Sequence, residues 1–289
     1  MPTPSPSPLW PAQLDHITRE SDRPEALLAF YRDIADMHAQ EIAPGAWLLQ
    51  GPGRRMVIVG GRPYEQPEHG YRVKDQAHLD AVKAWVQAQG IEIIPQPYPL
   101  FDPGFAVRDP DGRILSIGLP NPTLAGPAAE MASRRPARLQ HVVTTSTKQP
   151  AVVDFYKTVG FRVSDNVYRN DKLGGGEITA TFMRSDPEHH SFGSFLASKA
   201  APDHHSYETN GWMDLRDWSD WVTSRGYQIT LGPGRRGCGA NLFIMIDDPE
   251  GYRVEWSAEI EQIERDMAAR TWPHAERSLN RWGRAHLRS

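Results

Sequence analysis

The alternation of apolar and polar positions predicts short strands through most of the chain, separated by a few amphipathic helices. In the second half, β-branched and aromatic runs predict strands over 139–146, 161–168, 178–184, 190–197, 203–209, 227–231, 242–246 and 252–257. Apolar residues at helical spacing predict helices over 149–159 and 215–224. A turn, Asp248-Pro-Glu-Gly251, joins the last two strands, because proline presets φ and glycine supplies a positive φ.

The same landmarks occur twice in the same order, which predicts two modules of one fold. The pairs are Leu14-Asp-His-Ile17 with Leu139-Gln-His-Val142, Phe30-Tyr31 with Phe155-Tyr156, Trp85-Val86 with Trp221-Val222, and Asp109-Pro-Asp-Gly112 with Asp248-Pro-Glu-Gly251. We therefore expect an N-terminal module over 13–123 and a C-terminal module over 138–258, joined by a linker over 124–137. Residues 1–12 are predicted to form a disordered proline-rich tail, and residues 259–289 a tail that begins as a helix.

Composition narrows the class of protein. The 289 residues carry 32 Lys and Arg against 36 Asp and Glu, a formal charge of −4 that favours neither a nucleic-acid partner nor a membrane surface. The single cysteine, Cys238, excludes an internal disulfide framework and a site built from several thiolates. The first residues lack the apolar region of a signal peptide, so we expect a cytoplasmic protein. Any metal it binds is expected to be held by histidine and carboxylate.

Two histidines and a glutamate fall on separate predicted strands of the second module. His141 lies on the first strand, His205 on the fifth and Glu255 on the last. Such a trio matches the facial triad of non-haem Fe(II) oxygenases, which leaves one face of the metal open to substrate and O₂. The alternative is that Glu255 and Arg253 form a solvated strand face. Spacing alone favours this alternative, because eleven histidines offer many accidental trios.

The first module differs at the matching positions. It has Ser116 where the second has Glu255, and His16 where the second has its first histidine. The counterpart of the remaining histidine is His69 or Tyr71, depending on the register. Only the second module can therefore assemble three ligands, and we expect the first to be a structural partner.

Five motifs in the second module resemble those of type I extradiol ring-cleaving dioxygenases, members of the vicinal oxygen chelate superfamily. They are Leu139-Gln-His-Val142, Glu188-His-His-Ser-Phe192, Asp203-His-His-Ser-Tyr-Glu208, Gly232-Pro-Gly-Arg235 and Asp248-Pro-Glu-Gly-Tyr-Arg-Val-Glu255. The resemblance covers roughly residues 13–260. It implies an α+β fold of two tandem modules, each of paired βαβββ units that form a cupped, open, barrel-like sheet.

The resemblance also implies a site. Fe(II), with Mn(II) as the alternative, would be held by His141, His205 and Glu255, and O₂ would cleave a small aromatic diol beside its two hydroxyls. His190 matches the family position of the histidine that stabilises the oxygen species and transfers a proton. The second histidine of each His-His pair is taken from the motif alignment, whereas spacing alone would equally allow His189 and His204.

Two departures from the family pattern concern the substrate. Met245 replaces a tyrosine, and Arg236 replaces a histidine in the glycine-rich loop. A thioether cannot exchange protons, and arginine is a fixed cation. We therefore hypothesise an altered substrate with a carboxylate or second polar group that Arg236 can pair with. Tyr207 and Phe192 are candidates for an aromatic pocket wall, although most such aromatic residues belong to the core.

Three functions compete. The first is extradiol cleavage in aromatic-compound catabolism, carried out by a homo-oligomer. The second is a metal-dependent isomerase or lyase on the same scaffold, which needs an open metal site but no O₂. The third is a binding protein for small molecules. The complete ligand set disfavours the third, and the motif around His190 favours the first over the second.

Overall fold

The computed structural model describes residues 7–62, 67–124, 135–169, 176–285 and 287. The first module begins at residue 13. Its strands and helices are β1 (Gln13–Ser21), α1 (Pro24–Asp33), β2 (His38–Ala43), β3 (Ala46–Gly51), β4 (Arg54–Gly60), β5 (Glu68–Arg72), α2 (Gln76–Ala88), β6 (Phe101–Arg108) and β7 (Ile114–Pro120), followed by a 3-10 turn, Pro122–Leu124.

The second module repeats this order with two additional strands. Its elements are β8 (Arg138–Ser146), α3 (Gln149–Val159), β9 (Arg162–Tyr168), β10 (Ile178–Arg184), β11 (Phe192–Leu196), β12 (Ala201–Thr209), α4 (Trp212–Ser224), β13 (Leu231–Arg235), β14 (Leu242–Asp247) and β15 (Arg253–Ala258), and then β16 (Arg270–Pro273) and α5 (Glu276–Leu279).

Each module is one open mixed sheet. The strand order is β2-β3-β4-β1-β5-β7-β6 in the first and β13-β14-β15-β12-β8-β11-β10-β9-β16 in the second. Read in opposite directions the two orders coincide, with β13 and β16 added at the edges of the second sheet. The predicted α+β class and the repeated open sheet are confirmed, and the described strands do not close a barrel.

The helices follow from local sequence signals. Helix α3 occupies the predicted residues, with Pro150 in its first turn and Gly160 at its end, where φ is 133°. Asp75 begins α2 by accepting a hydrogen bond from the backbone N–H of His78 at 2.9 Å. The predicted Asp-Pro-Glu-Gly turn connects β14 and β15 as an antiparallel hairpin, with Gly251 at φ 76°.

The two modules share one core. Its central cluster includes side chains from α1 and α2 as well as from α3 and α4, so no solvent layer separates the halves. Polar contacts also join them: His69 Nε2 lies 2.6 Å from Tyr156 Oη, and Arg19 Nη1 lies 2.9 Å from Asp248 Oδ2. The second module therefore packs against the first through both apolar and polar contacts.

Three expectations about the ends and edges of the modules need correction. Residues 7–12 are not disordered, because Leu9 and Ala12 are fully buried and the Ala12 N–H donates to Ser185 O at 2.8 Å. No helix runs over 259–269; the tail instead adds β16 to β9 and places the short α5 near the glycine-rich loop. The strand expected at 227–231 begins at residue 231 and takes in the start of that loop.

Some positions of the predicted N-terminal tail and linker lie outside the described residues. This applies to positions 1–6 of the predicted tail and to positions 125–134 of the predicted linker.

Candidate metal centre and the adjoining cavity

Three buried side chains on adjacent strands of the second sheet converge. They are His141 on β8, His204 on β12 and Glu255 on β15, and their ligand atoms all lie within 4.8 Å of one another. His141 Nε2 is 3.3 Å from His204 Nε2 and 3.6 Å from Glu255 Oε1. Neighbouring ligands of an ion bound at about 2.1 Å lie roughly 3 Å apart. The spacing of the trio therefore fits a single metal ion.

The outer hydrogen bonds orient both imidazoles for metal binding. His141 Nδ1 bonds Gln140 Oε1, and His204 Nδ1 lies 2.6 Å from Asp203 Oδ1. With each Nδ1 proton donated outward, the lone pair of each Nε2 faces inward, as in metal-bound histidines. Burial, followed by the neighbouring histidines and Arg236, lowers the pKa of His141 well below its usual value. His141 is thus neutral, the form that binds metals.

The structure corrects the choice of His205 as a ligand. His205 pairs with Val254 across β12 and β15, whereas Ser206 pairs with Glu255. Side chains of directly paired residues point to the same side of a sheet and alternate along each strand. His204 and Ser206 therefore share the face of Glu255, and His205 faces the core.

The His205 ring packs among aromatic rings of the core and makes no hydrogen bond to any described residue. Its ring is fully buried and lies 5.5 Å from the Tyr252 ring at an interplanar angle of 20°, with Tyr31 and Tyr207 also in contact. Within the described part of the chain, neither ring nitrogen has a hydrogen-bond partner. Burial is the main cause that lowers the pKa of His205 well below its usual value, so the ring is neutral.

The two predicted aromatic wall residues also belong to the core. Tyr207 is buried beside His205, and its ring lies 6.0 Å from that of Trp256. Phe192 stacks on Tyr156 with ring centroids 3.8 Å apart. Neither side chain lines the cavity at the metal centre. Proximity in sequence to the metal ligands does not show which face of a strand a side chain occupies.

A cavity of about 250 Å³ adjoins His141 and His204, and its volume lies just below the usual range for ligand sites. His190, Arg236 and Met245, predicted to act on the substrate, line it. The other lining residues are Phe182, Phe195, Thr230, Leu231, Cys238, Asp247, Arg253, Ser278, Leu279 and Ala285. Sequence reasoning missed Phe182 and Phe195, which come from β10 and β11, and Leu279, which comes from the tail.

Arg236 touches the metal centre itself. Its Nη2 donates to Glu255 Oε2, and its guanidinium carbon lies 3.7 Å from the centroid of the Phe243 ring. Met245 Sδ is 3.8 Å from the same Nη2. Glu255 Oε1, the oxygen nearer His141, remains on the side of the two imidazoles. One carboxylate can thus serve both a metal ion and the guanidinium.

His190 lies beside the trio without belonging to it. Its ring centroid is 4.4 Å from that of His141 and 5.1 Å from that of Phe182. Burial, followed by the nearby His189, His204 and Arg236, lowers the pKa of His190 well below its usual value. A neutral imidazole therefore faces the cavity, and it can exchange a hydrogen bond with a bound molecule.

The first module holds a counterpart of the trio in which hydroxyl groups surround a carboxylate. His16 pairs with Gly70 on β5, and Gly70 pairs with Ser116, so Glu68 and Ser116 stand where the second module has His204 and Glu255. Ser116 Oγ donates to Glu68 Oε1 at 2.5 Å, and Thr18 Oγ1 donates to Glu68 Oε2 at 2.8 Å. These bonds satisfy the carboxylate within the protein.

Comparison with known proteins supports the resemblance seen in the motifs. Residues 138–256 match the family model described as the Glyoxalase/Bleomycin resistance protein/Dioxygenase superfamily. The match covers almost the whole of the second module. Among characterised proteins, Metapyrocatechase 2 of Cupriavidus necator is 25% identical over 231 residues, which span 70% of this chain and 67% of that protein.

Two solved structures share the fold over nearly the whole chain. The homoprotocatechuate 2,3-dioxygenase of Brevibacterium fuscum, in an anaerobic complex with 3,4-dihydroxyphenylacetate, superposes with a TM-score of 0.78 at 18% identity, covering 98% of this chain and 93% of that one. The Mn(II)-bound glyoxalase of Novosphingobium aromaticivorans gives 0.74 at 20% identity, with 94% and 90% covered. The likeness to extradiol dioxygenases inferred from the motifs is confirmed. No helix in the described residues is both long and apolar enough to cross a bilayer.

Proposed function

We propose that this protein is an extradiol dioxygenase that opens a catechol-type ring beside its diol, with Fe(II), or alternatively Mn(II), held by His141, His204 and Glu255. The observation that carries the proposal is the convergence of these three ligands at a small cavity lined by a neutral non-ligand histidine, His190. An ion bound there would supply coordination positions for the two diol oxygens and for O₂, and a path for electron density between them.

The cavity suits a single-ring substrate. Phe182 and Phe195 offer apolar contacts to a ring, and the buried trio lies at the polar side of the same space. A single-ring diol, 3,4-dihydroxyphenylacetate, is the ligand in the complex of the Brevibacterium fuscum dioxygenase. A role in the breakdown of aromatic compounds follows from this substrate class.

Arg236 takes a different part from the one expected from the sequence. The sequence suggested that Arg236 pairs with a carboxylate or second polar group of the substrate. Its guanidinium is instead bonded to Glu255, and so it lies beside the metal centre. A fixed positive charge at this place would stabilise the diol as an anion. Met245 contributes no acid or base, so His190 would be the group that exchanges a hydrogen bond and a proton with the bound diol.

A metal-dependent isomerase or lyase is the second candidate, favoured by the likeness to the Mn(II)-bound glyoxalase. One experiment separates the two functions. The protein is purified anaerobically, its iron and manganese are measured, and O₂ uptake is followed with single-ring catechols with and without an anionic side chain. Catechol-dependent O₂ uptake with appearance of a ring-opened product supports the dioxygenase. Turnover of a thiol adduct without O₂ uptake supports the isomerase, and absence of bound metal refutes both.

The proposal includes a cytoplasmic homo-oligomer. Cell fractionation tests the location, and light scattering coupled to size-exclusion chromatography tests the assembly.

A further inference from the structure

A buried chain of polar groups leads away from His190 into the second sheet. His190 Nδ1 lies 2.9 Å from His189 Nδ1, and His189 Nε2 lies 2.9 Å from Asp165 Oδ2 on β9. Arg270 on β16 completes the chain, with its Nε 2.7 Å from Asp165 Oδ1. The side chains of His189 and Asp165 are fully buried. The order is thus carboxylate, imidazole, imidazole, cavity.

The direction of these hydrogen bonds follows from the carboxylate at the end of the chain. Burial acts to raise the pKa of Asp165, but the hydrogen bonds from His189 and Arg270 and the charge of Arg270 outweigh it and lower that pKa, so the group is ionised. A carboxylate only accepts, which places a proton on His189 Nε2. When that is the single proton of His189, its Nδ1 carries a lone pair, and the 2.9 Å contact between the two Nδ1 atoms requires a proton on His190 Nδ1.

Local packing holds the histidine pair in place. The His189 carbonyl accepts a hydrogen bond from Ser164 Oγ at 2.5 Å, and its N–H donates to Glu261 O at 2.8 Å. Gly239, at φ 79°, covers both rings: a Cβ there would lie 3.0 Å from His189 Nδ1 and 3.2 Å from His190 Nδ1. The glycine-rich loop can therefore pack directly on the pair.

We propose that Asp165 and His189 are positioning residues that fix the tautomer of His190, so that its Nε2 presents a hydrogen-bond acceptor to the ligand in the cavity. The inference rests on the proposed function, in which that ligand is a diol. An unprotonated Nε2 can accept a hydrogen bond from a diol hydroxyl, whereas a protonated Nε2 cannot. The arrangement also offsets the two departures of this chain, because neither Met245 nor Arg236 can accept a hydrogen from the diol.

The test is the isosteric variant Asp165→Asn. Arg270 keeps the amide oxygen at the position of Oδ1, so the amide NH₂ points to His189 Nε2 and the hydrogen bonds of the chain reverse. We expect imidazole ¹⁵N spectra of the metal-free full-length protein at pH 8 to show an unprotonated Nε2 on His190 in the parent protein and a protonated Nε2 in the variant. In the metal-loaded enzyme kcat should fall about 10- to 100-fold with little change in KM.

Asp15→Asn is the matched control, because Asp15 is also buried, lies 2.9 Å from a histidine Nδ1 (His16) and pairs with Arg55, but belongs to the first module. It should leave the His190 signals and kcat unchanged. If Asp165→Asn does not fold, two variants of His189 test the same proposal. His189→Asn keeps an acceptor near Nδ1 and should retain more activity than His189→Leu.

The two proposals fail in different ways. A protonated His190 Nε2 in the parent protein, or an Asp165→Asn variant with unchanged kcat and tautomer, overturns the positioning role. Loaded parent protein that shows the expected tautomer and turns over no catechol refutes the dioxygenase and leaves the tautomer assignment standing.

Discussion

The neighbouring residues His204 and His205 allow one substitution to separate a metal ligand from a core residue. His204→Phe and His205→Phe introduce the same side chain at adjacent positions on opposite faces of β12. If His204 is the ligand, His204→Phe should lose the ion, because two protein ligands remain of three. His205→Phe should keep close to one ion per chain, since its ring is stacked among Tyr31, Tyr207 and Tyr252 and away from the trio.

The stability of His205→Phe can be estimated from the structure. The buried histidine leaves a ring N–H and a ring nitrogen without partners in the described residues, and each unsatisfied buried group costs about 1–3 kcal/mol. Phenylalanine removes both costs and retains the stacking, but its slightly larger ring adds strain of about 1–3 kcal/mol. The two terms together allow a change between about −1 and +5 kcal/mol, so we expect the free energy of unfolding to rise by about 2 kcal/mol.

The assay combines metal content after anaerobic reconstitution with urea unfolding of the metal-free proteins. Metal-free His204→Phe should unfold at a urea concentration near that of the parent protein, which shows that its loss of metal is not a loss of fold. A His205→Phe protein that is well folded but binds no metal, together with a His204→Phe protein that keeps its metal, would refute the register argument.

Three further predictions concern charge and proton binding. Arg236→Gln removes a cation beside the metal ion, so it should tighten Mn(II) binding roughly tenfold and lower catechol turnover. An unchanged Mn(II) affinity in isothermal titration would contradict this. Arg236→His should change the turnover of at least one tested catechol, and identical rates across a panel would count against a role for Arg236 at the substrate. Burial, with Arg113 and His16, lowers the pKa of His69 from 6.5 to about 3. Because the unfolded chain takes up this proton first, stability is full above pH 6.5 and is lost as the pH falls towards 3, by about 2 kcal/mol at pH 5. His69→Gln should remove that part of the pH dependence in urea titrations, and an identical loss in both proteins would show that other groups cause it.

The sequence pattern predicts most of the helices and strands of the second module, and the repeat predicts that it has a counterpart. Helix α3 and strand β10 have the predicted bounds, because proline, glycine and strict periodicity mark them. The helix expected after residue 258 does not form, although its charged sequence has helical spacing. Tertiary contacts override that propensity: Arg184 donates hydrogen bonds to the backbone oxygens of Glu264, Arg265 and Met267, which hold the segment in an irregular path.

The site required information that the periodicity of one strand does not contain. Alternation shows that His204 and His205 face opposite sides, and it also shows that Glu255 faces away from Val254 and Trp256. Which face of β12 matches which face of β15 depends on their register, and a shift of one residue reverses the answer.

The structure shows the same register in both modules. In both modules the first strand places its histidine opposite a small residue, Gly70 or Ser206, and that small residue is paired with the position of Ser116 or Glu255. In each module the third position of the trio lies two residues before the small residue, on the same face. This rule selects Glu68 in the first module and His204 in the second. Among the described residues, the first module offers no second metal centre. Its serine and threonine hydroxyls bond to the oxygens of Glu68, and one of those hydroxyls, Ser116, replaces the carboxylate that would complete a ligand set.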